Sequence, residues 1–101
     1  MLNIKLEKEG SELRVALDGR LNSVSSKELI QELDGALDGA LRVVFDFTNL
    51  EYISSAGLRV LLAVEQRMEQ VGGESVCVRN ANESVRDTLD MTGFRGVINV
   101  E

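Results

Sequence analysis

Two adjacent serines, Ser54 and Ser55, stand directly before a run of residues with the periodicity of a helix. Serine is preferred at the start of a helix because its hydroxyl accepts a hydrogen bond from a free backbone N–H of the first turn. A hydroxyl can also act as a nucleophile, but only beside a group that activates it. From the residues alone, a serine cap is therefore sufficient to explain the pair.

The remaining reactive residue types argue against an enzyme. The chain has no histidine, which excludes a Ser-His-Asp hydrolase, a Cys-His protease and a His-ligated zinc site within it. No phosphate-binding loop or dinucleotide fingerprint surrounds the glycine pair Gly72-Gly73. Cys77 stands alone, so we expect a small buried side chain rather than a disulfide or a redox site. We therefore predict no catalytic residues, no cofactor and no metal.

The net charge limits the partners that the chain could attract. The 101 residues carry a formal charge of −6, so nucleic-acid backbones and anionic membrane surfaces would repel it at long range. A partner with a basic face would suit it better. The first residues lack the apolar stretch of a signal peptide, and apolar runs such as 60–64 are too short to span a bilayer. We expect a cytoplasmic protein that binds no nucleic acid and does not insert into a membrane.

The first third of the chain predicts a β-hairpin followed by a helix. Apolar and polar residues alternate in two short segments, which is typical of strands that are buried on one side; their apolar residues are Leu2, Ile4, Leu6, Leu13, Val15 and Leu17. Residues 19–24 are predicted as a loop. Ser25 and Glu28 have the spacing of a capping box, so the helix is expected to begin there; its apolar residues are Leu29, Ile30, Leu33 and Leu37.

The rest of the chain alternates strands with helices. Residues 41–47 carry apolar side chains on both faces, which is typical of a central strand, and residues 48–55 are predicted as a loop. A helix is predicted over 56–71, ended by Gly72-Gly73; its apolar stripe consists of Leu58, Leu61, Leu62, Met68 and Val71. A strand at 75–79, a short helix capped by Asn82 and an edge strand at 97–100 complete the pattern.

This order, β-β-α-β-α-β-α-β, indicates a single α/β domain over residues 1–101. Strands that alternate with helices form right-handed crossovers and parallel pairs, so the sheet should be mixed and mainly parallel, with the helices packed on it. A chain of this length is enough for one hydrophobic core.

The stretch from Val44 to Leu62 resembles the signature of the STAS domain, as found in bacterial anti-sigma factor antagonists. A buried strand, Val44-Phe45-Asp46-Phe47-Thr48, is followed after a loop by the turn Ser54-Ser55-Ala56-Gly57-Leu58. The resemblance extends to the order of elements, the Gly72-Gly73 break, the segment 89–94 and the loop 19–22. It therefore spans the whole chain, and the run from Ser54 to Leu62 is its most specific part.

The resemblance implies a binding module that is switched by phosphorylation. In antagonists of this family, an anti-sigma factor with an ATP-dependent kinase fold phosphorylates the serine two residues before the glycine, which corresponds here to Ser55, with Ser54 as a second candidate. The unphosphorylated antagonist binds this serine kinase and frees the sigma factor, and a serine phosphatase resets the phosphorylated form. The implied partner-binding residues are Asn22, Ser23, Ser54, Ser55, Ala56, Gly57, Leu58 and Arg59.

Three residues depart from the family pattern. Ser54 and Asn22 stand where aspartates are usual, and Ala56 replaces a second serine. The two missing aspartates favour an alternative function, a STAS subunit that is not phosphorylated, such as an accessory protein of a lipid-transport complex or a scaffold; Ala56 matters less. A sensor of a small ligand or nucleotide is a further alternative, because folds that resemble the STAS domain can hold a ligand against the sheet. Leu58 and Leu62 are expected in the core and Arg59 at the surface.

Overall fold

The computed structural model describes residues 2–101. Their strands form one five-stranded mixed sheet. The strands are β1 (Leu2–Glu9), β2 (Glu12–Leu21), β3 (Arg42–Ile53), β4 (Cys77–Arg79) and β5 (Asn99–Val100). Their spatial order equals their order in the chain, with β3 in the centre. β1 runs antiparallel to β2, and every other neighbouring pair is parallel. The predicted mixed, mainly parallel sheet is confirmed.

Three α-helices within the same residues connect the parallel strands. They are α1 (Ser23–Leu33), α2 (Ser55–Val71) and α3 (Glu83–Met91), and a 3-10 turn (Phe94–Gly96) leads into β5. Parallel strands need such crossovers because the chain must return to the same end of the sheet before the next parallel strand begins. The predicted order of elements is confirmed. No helix in residues 2–101 is long and apolar enough to cross a membrane.

The hydrophobic core lies between the sheet and its helices. Alternate residues of β3, namely Val43, Phe45 and Phe47, are fully buried, and the two phenylalanine rings are 6.0 Å apart. These residues belong to one cluster with side chains of β2 and of all three helices, including Leu13, Val15, Leu17, Leu29, Leu61, Met68 and Leu89. Each fully buried apolar side chain contributes roughly 1.5–3 kcal/mol to the stability of the fold. The helices therefore cover the side of the sheet on which these apolar side chains lie.

The other side of the sheet, called the open face below, carries most of the polar and charged side chains of the strands, together with the buried Val44 and Cys77. One row across it consists of Lys5, Ala16, Asp46 and Arg79, which pair in neighbouring strands. Cys77, two residues before Arg79, points to the same side. It is buried, as predicted, its thiol donates a hydrogen bond to the Glu101 carboxylate at 2.9 Å, and its burial raises the pKa of the thiol. A thiol with a raised pKa is a poor nucleophile, which agrees with a structural role.

Two strands extend further than the sequence predicts. β2 runs to Leu21 and β3 to Ile53, where loops were expected at 19–24 and 48–55, and these two residues are paired. The pairing contains two irregularities, between Ala16 and Asp18 and between Gly19 and Arg20, at each of which β3 has one more residue than β2. Such bulges interrupt the alternation of apolar and polar side chains. The loop prediction at 48–55 was wrong because this interruption in β3 looks like the end of a strand. The alternation in β2 continues to Leu21, and the loop prediction at 19–24 was wrong because glycine and asparagine, which are typical of turns, stand at Gly19 and Asn22.

The start of α1 also differs from the prediction. Asn22, rather than Ser25, caps the helix: its side-chain oxygen accepts hydrogen bonds from the N–H groups of Val24 at 3.1 Å and Ser25 at 3.0 Å. The Ser25 hydroxyl accepts in return from the Asn22 N–H at 2.9 Å. The capping box is therefore formed by Asn22 and Ser25, and Glu28 takes no part in it. The other predicted caps, Asn82 of α3 and the left-handed Gly72 after α2, are confirmed.

The buried side of α2 differs from the predicted apolar stripe, because Glu65 is buried and Leu62 is exposed. Leu62 was expected in the core but is 37% exposed, whereas Leu58 is buried as predicted and Glu65 is only 3% exposed. The Glu65 carboxylate accepts hydrogen bonds from the Val76 N–H at 2.8 Å and from the Ser75 hydroxyl at 3.2 Å. A buried carboxylate is tolerated only when hydrogen bonds replace its lost hydration. Glu65 thus ties α2 to the chain entering β4.

Replacing Glu65 by alanine is expected to lower the free energy of unfolding by about 1–3 kcal/mol, because the buried Val76 N–H loses its acceptor. Glu69→Ala is the matched control, since Glu69 lies one turn later on α2 and is exposed. It should change stability by less than about 0.5 kcal/mol. Urea unfolding of both variants measures the difference, and equal stabilities would show that the Glu65 contacts do not stabilise the fold.

Candidate phosphorylation and docking site

The starts of α1 and α2 lie side by side at one edge of the sheet. β2 and β3 are parallel, and their last residues, Leu21 and Ile53, are paired. Each is followed by a single capping residue, Asn22 and Ser54 respectively, and then by a helix. The Ser54 N–H donates to the Leu21 carbonyl oxygen at 2.9 Å, which holds the two connections together. Open α/β sheets commonly bind their ligands and partners at this carboxyl edge.

The two serines of the turn have different environments. Ser54 is half-buried and caps α2, because its hydroxyl oxygen accepts a hydrogen bond from the Gly57 N–H at 3.3 Å. Ser55 is the first residue of α2 and is exposed. Its hydroxyl has no hydrogen-bond partner within residues 2–101. The hydroxyl that another molecule can reach is therefore that of Ser55.

Glycine at position 57 allows α2 to approach the sheet closely. A Cβ atom added there would lie 2.8 Å from Ile53 Cγ1 and 2.8 Å from Leu21 Cγ. Both distances are shorter than carbon atoms tolerate, and both side chains are buried at the ends of their strands. Gly57 therefore sets how near the first turn of α2 comes to the paired ends of β2 and β3.

A shallow groove runs between the first halves of α1 and α2. Its volume is about 270 Å³, and its walls include Ser23, Ser26 and Lys27 from α1 and Ala56 and Arg59 from α2. Lys27 and Arg59 are exposed, and neither side chain forms a salt bridge or hydrogen bond within the described residues. Two unpaired cations therefore border the groove in a chain whose formal charge is −6.

Ser26 differs from the other residues of the groove. It is only 3% exposed, and its hydroxyl has no hydrogen-bond partner within residues 2–101. Serine hydroxyls inside helices often bond to the backbone carbonyl four residues earlier, but here the Asn22 carbonyl accepts only the Ser26 backbone N–H. The groove therefore contains one buried polar group that is left without a partner.

Asp46, in the middle of the signature strand, stabilises the open face. Its carboxylate accepts hydrogen bonds from the Thr48 hydroxyl at 2.6 Å, the Thr48 N–H at 3.0 Å and the Asn80 side-chain amide at 3.2 Å. The Thr48 hydroxyl is the main reason that the pKa of Asp46 is lowered, and burial opposes it. Asp46 is thus an ionised acceptor that holds the irregular part of β3 beside the turn at Asn80.

The chain matches the family model described as "Mlab, STAS domain" over residues 4–99. It belongs to the STAS domain family. This result confirms the resemblance seen in the signature segment and in the order of elements.

Relatives with similar sequences carry names from one functional class. The STAS domain is 37% identical over 100 residues to BtrV of Bordetella bronchiseptica, a protein provisionally named an anti-sigma factor antagonist. This match covers 98% of the chain and 85% of the relative. It is 32% identical over 95 residues to an anti-sigma F factor antagonist of Paenibacillus polymyxa, covering 92% of the chain and 80% of the relative.

Solved structures share the fold of this STAS domain. The anti-sigma factor antagonist SpoIIAA in its unphosphorylated form has a TM-score of 0.86 at 18% identity, covering 98% of the chain and 88% of SpoIIAA. An anti-sigma factor antagonist from Mycobacterium paratuberculosis has a TM-score of 0.84 at 21% identity, covering 99% of the chain and 85% of its own. At these identities the likeness establishes the fold alone.

The STAS domain brings together the residues that its sequence singles out. Asn22 and Ser23 lie at the start of α1, and Ser54 to Arg59 lie at the start of α2, on adjacent connections of the sheet. Ser26 and Lys27 were not predicted from the sequence as neighbours of Arg59. The signal for Lys27 was present, because it follows Ser23 by four residues, just as Arg59 follows Ser55. This similarity was not recognised because α1 was predicted to begin at Ser25, two residues after its actual start at Ser23.

Gly57→Ala is expected to lower the free energy of unfolding by about 1–3 kcal/mol, because the added methyl group overpacks the contact with Leu21 and Ile53. Alanine is otherwise the better helix former by about 1 kcal/mol, so an increase in stability would contradict the close approach. Gly96→Ala is the control, since a Cβ there would meet no atom within 4 Å. Denaturant unfolding measures both variants.

Proposed function

We propose that this STAS domain is a cytoplasmic anti-sigma factor antagonist. It docks onto an anti-sigma factor serine kinase through the surface formed by the starts of α1 and α2, and so frees a sigma factor for transcription. Phosphorylation of Ser55 releases it, and a serine phosphatase restores the binding form. The observation that carries the proposal is the position of Ser55, which is exposed at the first residue of α2. The names of both relatives support the same class.

The start of α2 can accept a phosphate without unfolding. A phosphoserine carries about −1.5 to −2 charges at neutral pH, and a helix N-terminus favours an anion through its dipole and its free N–H groups. The cap of α2 comes from the hydroxyl of Ser54, so modification of Ser55 leaves this hydrogen bond in place. The fold is therefore expected to persist in both states.

The surface beside Ser55 has the composition of a docking site. Leu62 follows Ser55 by seven residues and Arg59 follows it by four, so the three lie along one side of α2. Val24 and Ile30 on α1 are 69% and 54% exposed. Exposed apolar side chains next to cations suit a partner patch that combines apolar and acidic groups. A new dianion in such an interface needs to change the binding free energy by only about 1–3 kcal/mol to alter affinity about 5–150-fold.

Incubation with the anti-sigma factor kinase and ATP tests the proposal. We expect the mass of the protein to rise by one phosphoryl group and the modified peptide to map to Ser55. Ser55→Ala should keep its fold and its binding but remain unmodified, and Ser55→Asp should bind about 5–150-fold more weakly. Binding is measured by calorimetry with the purified partner. Equal affinity of Ser55→Asp and the unmodified protein would contradict the switch.

Ser54→Ala provides the matched control in the same assay. It removes the cap of α2, so it should lower stability by about 0.5–2 kcal/mol, yet Ser55 should still be phosphorylated. If the unsubstituted protein gains its phosphate on Ser54 while Ser55 stays unmodified, the assignment of the switch to Ser55 is wrong.

A second candidate function is a STAS subunit that binds its partner permanently. It is favoured by the two neutral caps, because Asn22 and Ser54 complete their hydrogen bonds without the carboxylates usual in phosphorylated family members. Examples are an accessory subunit of a lipid-transport complex or a scaffold. Stable binding to the partner with no phosphate gained in the kinase assay would favour this candidate over the switch.

A further inference from the structure

We propose that a phosphate on Ser55 is bound within the same chain by Arg59 and Lys27. Phosphorylation would then do more than add a negative charge to the docking surface, because it would also withdraw two cations from it. The origin of the phosphate rests on the proposed function, whereas the binding of the phosphate depends only on the geometry of this chain.

Arg59 is placed to reach the phosphate along α2. Ser55 and Arg59 are four residues apart on a continuous helix, and residues at this spacing are neighbours on a helix surface. Both are exposed. The guanidinium of Arg59 forms no salt bridge or hydrogen bond within residues 2–101, so no existing contact has to break before it pairs with a phosphate.

Lys27 lies on the α1 side of the groove that Ala56 and Arg59 line on the α2 side. Ser55 is not itself a lining residue, but it directly precedes Ala56 and lies one turn before Arg59, so a phosphate on its side chain has to extend toward the groove to meet Lys27. Lys27 lies four residues after Ser23, the first residue of α1, so the two helices repeat one arrangement: a cap, an exposed serine and a cation one turn later. Because the helix starts are adjacent, both cations and the positive ends of both helix dipoles converge on the groove.

The buried hydroxyl of Ser26 is independent support for an anion in the groove. It has no partner within the described residues, and it lines the groove beside Lys27. Buried hydroxyls are normally hydrogen-bonded. A phosphate held between Arg59 and Lys27 supplies acceptor oxygens near this unsatisfied donor.

The consequence for switching is the loss of positive charge from the docking surface. In the unmodified protein, Lys27 and Arg59 present two positive charges beside Ile30, which lines the same groove. The exposed Val24 and Leu62 lie three residues from Lys27 and Arg59 along α1 and α2 respectively. A phosphate of about −1.5 to −2 charges that pairs with them would leave the surface near neutral. A partner that recognises the cations through acidic side chains would then lose these contacts.

The second pKa of the phosphate reports this contact without any partner. Phosphoserine is placed at position 55 during translation by an expanded genetic code, so no kinase is needed, and the phosphate is titrated by phosphorus NMR. Paired cations favour the dianion and lower its second pKa. We expect Arg59→Gln and Lys27→Gln each to raise it by about 0.2–0.4 pH unit. Arg59→Lys should recover most of the shift.

Arg20→Gln is the matched control. The Arg20 guanidinium lies 4.5 Å from the Tyr52 ring centroid, and neither side chain lines the groove. Its removal should leave the phosphate pKa unchanged. An equal phosphate pKa in the unsubstituted protein, Arg59→Gln and Lys27→Gln would overturn the proposal, as would a shift caused by Arg20→Gln alone.

A second measurement on the unsubstituted protein covers the case in which a variant misfolds. The side-chain Nε–H signal of Arg59 should move as the phosphate on Ser55 titrates, and a signal that does not move would contradict the contact. The kinase assay remains separate. If the phosphate pairs with Arg59 but no kinase modifies the protein, this inference stands and the proposed function fails. If the kinase modifies Ser55 but the phosphate does not pair with Arg59 or Lys27, the proposed function stands and this inference fails.

Discussion

The parallel pairing of the last residues of β2 and β3 is the constraint on which the site depends. Leu21 and Ile53 are register partners, and the Ser54 N–H closes the pair by donating to the Leu21 carbonyl. Because one capping residue follows each strand, two helices must begin side by side at this edge. Gly57 allows the first turn of α2 to rest against the same two residues. A shift of this register by one residue would separate the two helix starts.

Burial and capping give the two neighbouring serine hydroxyls different roles. Ser54 is half-buried and satisfies an N–H of α2, whereas Ser55 begins the helix and faces solvent. Asn22 shows the same use of a neutral cap on α1. Capping needs only an acceptor oxygen, so the neutral residues preserve both helix starts without carboxylates. The charged residues that line the groove between the two helix starts are Lys27 and Arg59, in contrast to the acidic chain as a whole.

Much of this architecture could be predicted from the sequence because local signals agree with the global fold. The hairpin, the central strand at residues 42–47 and the end of α2 at Gly72 follow from periodicity and glycine placement. The prediction failed where two features overrode the period. Bulges in β3 mix exposed residues into a continuous strand, and the hydrogen bonds from Val76 and Ser75 allow Glu65 to be buried while Leu62 is exposed. Neither feature leaves a signal in hydrophobicity alone.

A partner that docks where the two helices begin should shield the backbone amides there from solvent. Hydrogen exchange of the backbone amides, with and without the purified anti-sigma factor, measures this protection. We expect the added protection to be concentrated in the first two turns of α1 and α2, around Ser23, Lys27, Ser55 and Arg59. Protection confined to the open face of the sheet, around Lys5, Asp46 and Arg79, would contradict it.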